Sequence, residues 1–323
     1  MDSVKNKIKA VILGHAVGDA LGVPVEFCER EKLEDAPITD MVGYGTYNVP
    51  AGAWSDDTSM SLAALDSLAK GEIDYFEIMV NFAKWLEEGK YTPTEEAFDI
   101  GRTCLRSIVS FIKDRNNLED GEYVLYGQKG EHSNGNGSLM RIHPFALLTW
   151  FDKQFRGHFE AIIAGASALT HAHKRSILAC IIYTVILHSL LKAPQKISVK
   201  NALDEAKEKY RNYPEFEHYA RLFDCNFDKL SRDSIKSSGY VVDTLEAAVW
   251  CLLTTDDYKS AVLKAVNLGG DTDTVAAVTG GLAGALYGYE AIPKEWLDTL
   301  IKRDYIEEMC RRAANTWGCE HRA

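Results

Sequence analysis

A chain of 323 residues with 46% apolar and 26% charged side chains is long enough for a large core and has an ordinary globular balance. Its 36 basic against 47 acidic residues leave a formal charge of −11, which argues against a nucleic-acid backbone as partner and gives no sign of an anionic membrane as one. Its 7 cysteines (28, 104, 180, 225, 251, 310 and 319) form no CxxC pair and no His–Cys cluster, so reduced structural thiols in a cytoplasmic protein are expected. Residues 1–10 are charged and run into an amphipathic pattern, unlike a signal peptide. Apolar spacing predicts helices over roughly 4–22, 58–70, 76–90, 93–114, 138–151, 158–170, 174–192, 198–211, 241–254, 256–267, 273–288 and 302–314. In 76–90, Phe76, Met79, Val80, Ala83 and either Trp85 or Leu86 share one face, and Gly89 stops the helix. The most apolar run, 177–191, contains His188 and is shorter than the ~20 residues of a membrane span, so it reads as a buried helix. Sustained polar/apolar alternation is nearly absent, and there is no linker and no fixed repeat. The expectation is an all-α fold in a single domain, 1–323, with long loops at 43–57 and 116–137 as candidate functional segments.

Two acidic clusters carry the chemistry. One is Ser55-Asp56-Asp57-Thr58, before a predicted helix; the other is Asp271 and Asp273, between Gly269-Gly270 and a run of small apolar residues. Capping explains one acid at a helix start, because carboxylates and hydroxyls satisfy free N–H groups and suit the dipole. It does not explain two acids at each of two helix starts, since like charges this close repel. A shared divalent site explains both. Carboxylates, hydroxyls and water are hard donors suited to Mg²⁺ or Mn²⁺, and two such ions ~4 Å apart would acidify a water. Asp271–Val275 also fits the DxDx[TV] nucleophile motif of haloacid-dehalogenase phosphatases. That motif should end a strand near the start of an α/β domain; here it begins a helix near the C-terminus, so that reading fails. A third segment, SNGNGSLMRIHPFALL (133–148), places two Asn-Gly steps before a predicted helix, where exposed N–H groups could seat a phosphate. A fourth, LTHAHKRS (169–176), sets His171 and His173 at a helix junction, with a cap or core-edge role as the plain alternative.

These segments, in this order, resemble the ADP-ribosylglycohydrolase family, of the dinitrogenase reductase-activating glycohydrolase and ADP-ribosyl-acceptor hydrolase type. The resemblance rests on G-D-x-x-G with a later Glu in GHAVGDALGVPVEF (14–27), then [ST]-D-D-T, N-G-x-x-M-R and G-G-D-x-D-T, and so covers most of the chain. It implies one compact all-α domain holding two Mg²⁺ ions, or Mn²⁺. It places metal ligands at Ser55, Asp56, Asp57, Asp271, Asp273 and Thr274, and catalytic roles at Asp57, Glu26 and Asp99. ADP-ribose contacts fall on Asn134, Gly135, Asn136, Gly137 and Ser138, on His171, and on Tyr240 at the adenosine end. The implied activity is hydrolysis of ADP-ribose from a modified protein side chain, N-linked arginine first, by water attack at the anomeric carbon with Asp57 or Asp99 as base. Other ADP-ribose linkages (serine or a small-molecule conjugate), nucleotide phosphohydrolysis and a non-catalytic crystallin-like role are the alternatives. The expected partners are ADP-ribose and an ADP-ribosylated protein, with no membrane and no nucleic acid, and a monomer is expected.

Overall fold

The computed structural model describes residues 2–117 and 126–318. Its α-helices are, in chain order, α1 (Asp2–Gly22), α2 (Arg30–Asp35), α3 (Asp56–Leu68), α4 (Tyr75–Glu88), α5 (Arg102–Asp114), α6 (His143–Phe151), α7 (Lys153–Arg156), α8 (Phe159–Ala168), α9 (Lys174–Lys192), α10 (Lys196–Tyr210), α11 (Val241–Leu253), α12 (Tyr258–Val266), α13 (Thr272–Tyr287), α14 (Lys294–Thr299) and α15 (Arg303–Trp317). Among the described residues there is no β-strand, only isolated bridges pairing Gln128 with His171 and Gly135 with Tyr240. The fold is all-α, as its apolar spacing implies.

Helices α1 and α13 form the centre, and small residues decide how closely they pack. Gly14, Gly18 and Gly22 recur every four residues on one face of α1. A Cβ at Gly18 would stand 2.1 Å from the carbonyl oxygen of Ala276, and one at Gly22 would stand 2.3 Å from the Cα of Asp273. Gly284 of α13 meets Ala10 of α1 in the same way, at 1.9 Å. The small-residue run after Asp273 is thus a contact face between backbones. It brings the end of α1 against the start of α13, where the second acid cluster lies. Around this pair the buried apolar side chains form one continuous cluster, from Ile8 on α1 through Trp85 on α4 and Phe145 on α6 to Trp317 on α15. Helices α1 and α9 are each long and apolar enough to cross a membrane, but most of each lies inside the fold. The run 177–191 is therefore a buried helix here.

Two expectations change. The helix predicted from 93 begins only at Arg102. Tyr91, Glu95 and Asp99 all have positive φ, so 92–101 is an irregular loop. The helix predicted from 138 begins at His143, with Pro144 in its first turn. The long loop 116–137 lies partly outside the described residues; its described end, 126–137, lies beside α5 and α9.

Candidate active site

The start of α3 shows which groups cap and which are left over. The N–H of Ser55 donates to Asp19 Oδ1 at 2.9 Å, and the N–H of Thr58 donates to Asp19 Oδ2 at 3.0 Å. The Thr58 hydroxyl also donates to Asp19 Oδ2, at 2.6 Å. Ser55 Oγ accepts the N–H of Asp57 at 3.3 Å. Asp19, reaching across from α1, and Ser55 therefore satisfy the helix start. Asp56 and Asp57 are not needed as caps, yet both are buried. Ser55 is a cap first: it does not line the cleft described below.

The second cluster converges on the first. Thr274 Oγ1 donates to Asp57 Oδ1 at 3.3 Å, linking α13 to α3 across 217 positions of sequence. Oxygens of Glu26, Asp271 and Asp273 lie within 4.8 Å of one another. Burial first, then neighbouring carboxylates, hold Asp56, Asp57 and Asp273 well above the usual carboxylate range; burial also raises Asp271. Asp19 is pushed up to about 6 by burial. None of Glu26, Asp56, Asp57, Asp271 and Asp273 has a Lys or Arg ion-pair partner among the described residues. Asp57 Oδ2, Asp273 Oδ2 and Glu26 Oε2 are buried without any hydrogen-bond partner. Orphaned hard oxygen donors from three separate segments, crowded at a distance that repels, fit divalent cations such as Mg²⁺ or Mn²⁺.

A cleft of about 450 Å³ opens over these acids, a size suited to a nucleotide-like ligand. Glu26, Asp56, Asp99, Asp271 and Thr274 line it, whereas Asp57 and Asp273 are fully buried. The 92–101 loop carries Asp99 to the cleft in a left-handed conformation, φ +52. There Asp99 Oδ1 accepts the Tyr47 hydroxyl at 2.7 Å. Burial, then Asp99, push Glu26 up to about 9, and burial with the Glu26 and Asp99 carboxyls keeps Tyr47 protonated. Tyr47 also packs against Phe98 in a tilted pair, ring centroids 5.1 Å apart, so the long 43–57 loop positions Asp99.

The Asn134–Ser138 loop divides into wall and support. Gly135, Asn136 and Gly137 line the cleft. Asn136 Nδ2 donates to Asp271 Oδ2 and to Thr244 Oγ1, both at 2.9 Å, which ties the loop to the acid cluster. The Asn134 side chain instead accepts from Ser176 and donates to the Glu131 carbonyl, and the Ser138 hydroxyl packs inward against Ser167 and Cys180. The expected seat at a helix start is corrected. The Asn136 N–H donates to the Gly239 carbonyl at 3.1 Å, in extended pairing, and no helix begins at 138. The N–H groups of Gly137 and Ser138 donate to nothing among the described residues. Tyr240 pairs with Gly135 through the backbone and faces the Arg175 guanidinium at 5.8 Å; its ring does not line the cleft.

His171 lines the cleft, and burial, then the Arg141 charge, lower it to about 3, so the ring is neutral. Arg141 donates to Thr170 Oγ1 at 2.7 Å, and Thr170 Oγ1 lies 2.8 Å from His171 Nδ1. A hydroxyl oxygen that accepts from Arg141 can still either donate its hydrogen to Nδ1 or accept from it, so the contact fits both neutral tautomers of His171. His171 Nε2 lies beside Gly135. His173 does not join it: its Nδ1 caps α9.

Gly137 tests the wall. Its φ is not left-handed; a Cβ there would meet Cys104 Sγ at 2.7 Å and His171 Cε1 at 2.9 Å. Gly137→Val should displace His171 and weaken ADP-ribose binding at least tenfold, about 1.4 kcal/mol, while Mn²⁺ binding barely changes. Calorimetry with each ligand separates the two. Unchanged ADP-ribose affinity in a folded variant would make the loop only a turn.

The groups that sequence reading missed are Asp19 and Tyr47. Asp19 had a signal, a lone charge inside the apolar run of GHAVGDALGV; Tyr47 had none.

Comparison with known proteins shows the family. The ADP-ribosylglycohydrolase family model matches residues 1–322. An ADP-ribosylarginine hydrolase Tri1 of Serratia proteamaculans is 32% identical over 311 residues, 95% of this chain and 78% of the relative. An ADP-ribosyl-[dinitrogen reductase] glycohydrolase of Rhodospirillum rubrum is 33% identical over 316 residues, 96% of this chain and 95% of the relative. A solved structure described as an ADP-ribosylglycohydrolase-related protein complex superposes with a TM-score of 0.81 at 27% identity, over 98% of this chain and 100% of that one. With a match over nearly its whole length, and with both acid clusters of that family's pattern brought to one cleft, this chain belongs to the ADP-ribosylglycohydrolase family.

Proposed function

We propose that the protein is a metal-dependent hydrolase that releases ADP-ribose from modified protein side chains, with N-linked arginine as the acceptor. The observation that carries the reading is the convergence of Glu26, Asp56, Asp57, Asp271 and Asp273, without counter-charge, beneath a nucleotide-sized cleft. The arginine acceptor is supported by two relatives that are ADP-ribosylarginine hydrolases.

The chain's own residues divide the work. The Gly137 N–H group and His171, in its Nε2–H tautomer, receive the diphosphate and ribose oxygens. Asp56, Asp57, Asp271, Asp273 and Thr274 would hold the cations, the unpartnered oxygens of Asp57 and Asp273 among the ligands. When bound, those cations would neutralise the carboxylates and lower the pKa of water. As the glycosidic bond breaks, positive charge builds at the anomeric carbon, and the carboxylates facing it stabilise that charge. Asp99, oriented by Tyr47, takes the proton of the attacking water, with Asp57 as the other candidate base. Products are ADP-ribose and unmodified arginine.

The test is product analysis on ADP-ribosyl-arginine and ADP-ribosyl-serine peptides, with EDTA and after restoring Mg²⁺ or Mn²⁺. ADP-ribose from the arginine peptide, lost in EDTA and regained with metal, is the expected result. AMP or orthophosphate would make the protein a phosphohydrolase, and no product from any conjugate would make it non-catalytic.

A further inference from the structure

Phe27 is held where folding alone would not put it. Its side chain is 68% exposed, yet it lines the cleft, next in the chain to Glu26. Its backbone is left-handed, φ +62, a conformation that a bulky residue adopts only where its surroundings impose it. Two hydrogen bonds impose it. The Phe27 N–H donates to the Gly270 carbonyl at 2.7 Å, and the Gly270 N–H donates to the Cys28 carbonyl at 2.9 Å. Residue 27 is thereby clamped to the segment that delivers Asp271. An exposed aromatic ring on a strained backbone gives up burial that an apolar side chain would otherwise gain. Its position therefore calls for something that the ring meets outside the fold.

Position and charge indicate what that is. The ring stands at the mouth beside the acids where the bond breaks, and in an ADP-ribose conjugate that end of the molecule carries the acceptor. Adenine lies a diphosphate and a ribose away. The lining of the cleft is acidic, through Glu26, Asp56, Asp99 and Asp271, and of the described lining residues only Arg102 carries a fixed positive charge. A planar cation with an apolar face suits such a shelf: it stacks on the ring and stays near the acids. Building on the arginine reading above, we infer that Phe27 is a specificity-determining residue whose ring stacks on the acceptor guanidinium of the ADP-ribosylated arginine. A serine acceptor has neither the charge nor the flat face to use it.

The experiment compares wild type, Phe27→Leu, Phe27→Tyr and Tyr44→Ala on an ADP-ribosyl-arginine peptide, with calorimetry of free ADP-ribose on each. Leucine keeps an apolar surface and removes the ring's charge distribution. Tyr44 is the control: it is 71% exposed and left-handed at φ +60, but does not line the cleft. Phe27→Leu should raise KM about fivefold to tenfold with kcat within about twofold, and leave ADP-ribose affinity unchanged. Phe27→Tyr and Tyr44→Ala should behave as wild type. An unchanged KM in a folded Phe27→Leu overturns the inference while leaving the arginine reading in place. A parallel loss of ADP-ribose affinity also overturns it, because the ring would then hold the nucleotide. A wild type that releases no ADP-ribose from the arginine peptide refutes the reading itself, and the inference with it.

Discussion

Asp273→Asn should lower kcat by about 10³-fold or more, roughly 4 kcal/mol of transition-state stabilisation, without lowering the stability of the metal-free protein. The two halves of this expectation come from the same geometry. Asp273 is fully buried; one oxygen accepts the Thr274 N–H at 2.8 Å, and the other has no partner. Glu26, Asp99, Asp57 and Asp271 all press on its charge. An amide keeps the shape and that accepted bond, removes one negative charge, and supplies a donor to the crowd of acceptors around it. In a protein without cations this relieves repulsion, so the melting temperature in EDTA should hold or rise. An activity lost without a loss of fold then marks a functional acid. Asp271→Asn is the companion variant. Asp271 Oδ2 already accepts from Asn136, so an amide there also disturbs the Asn134–Ser138 loop, and ADP-ribose affinity should fall along with turnover. Full activity in both variants, or in wild type with excess EDTA, would refute the metal centre.

How much of this was legible in sequence depended on whether the signal was local. Helix α9 and helix α13 show in apolar spacing and composition, because their burial repeats with the helical period. The acid clusters were visible because capping leaves a surplus acid in each, and the structure assigns the capping of α3 to Asp19 and Ser55. The loop 92–101 was not visible. Ala97, Phe98 and Ile100 keep a helical spacing there, while the left-handed residues that break the helix carry no glycine to announce it. The Asp99 carboxylate is held by the Tyr47 hydroxyl, and no single-segment pattern encodes a partner 52 residues away. The same holds for the Asn136–Asp271 bond: both residues were singled out, but the bond that makes them one site spans 135 positions. For Gly18 and Gly22 the spacing was plain, and the meaning needed α13, since a glycine stripe becomes a contact face only once its partner backbone is known.

The same electrostatics make metal stabilisation depend on pH, with a definite sign. Unfolded carboxyls titrate near ~4. In the folded, metal-free protein Asp19 is raised to about 6 and Glu26 to about 9, mainly by burial, while Asp56, Asp57 and Asp273 are raised well above the ordinary value. Above pH ~4 these carboxyls therefore bind more protons in the native state than in the unfolded chain, and their contribution to stability falls as pH rises through the native values. Their contribution is complete below the unfolded value and is lost progressively through about 6 and on to about 9. Divalent cations act in the opposite direction. They bind the ionised acids, compete with protons, and stabilise only the native state. At a cation concentration of ~100 times Kd that stabilisation is about 2.7 kcal/mol. At roughly 2 °C per kcal/mol for a chain this large, the melting temperature should rise about 5 °C in Mn²⁺ at pH 8. At pH 5.5 the rise should shrink to a fraction of that. Differential scanning calorimetry with Mn²⁺ and with EDTA at the two pH values checks both. A rise as large at pH 5.5 as at pH 8 would mean that protons and cations do not share these oxygens. No rise at either pH, over a millimolar range of Mg²⁺ or Mn²⁺, would mean that the acids converge for some purpose other than holding a cation.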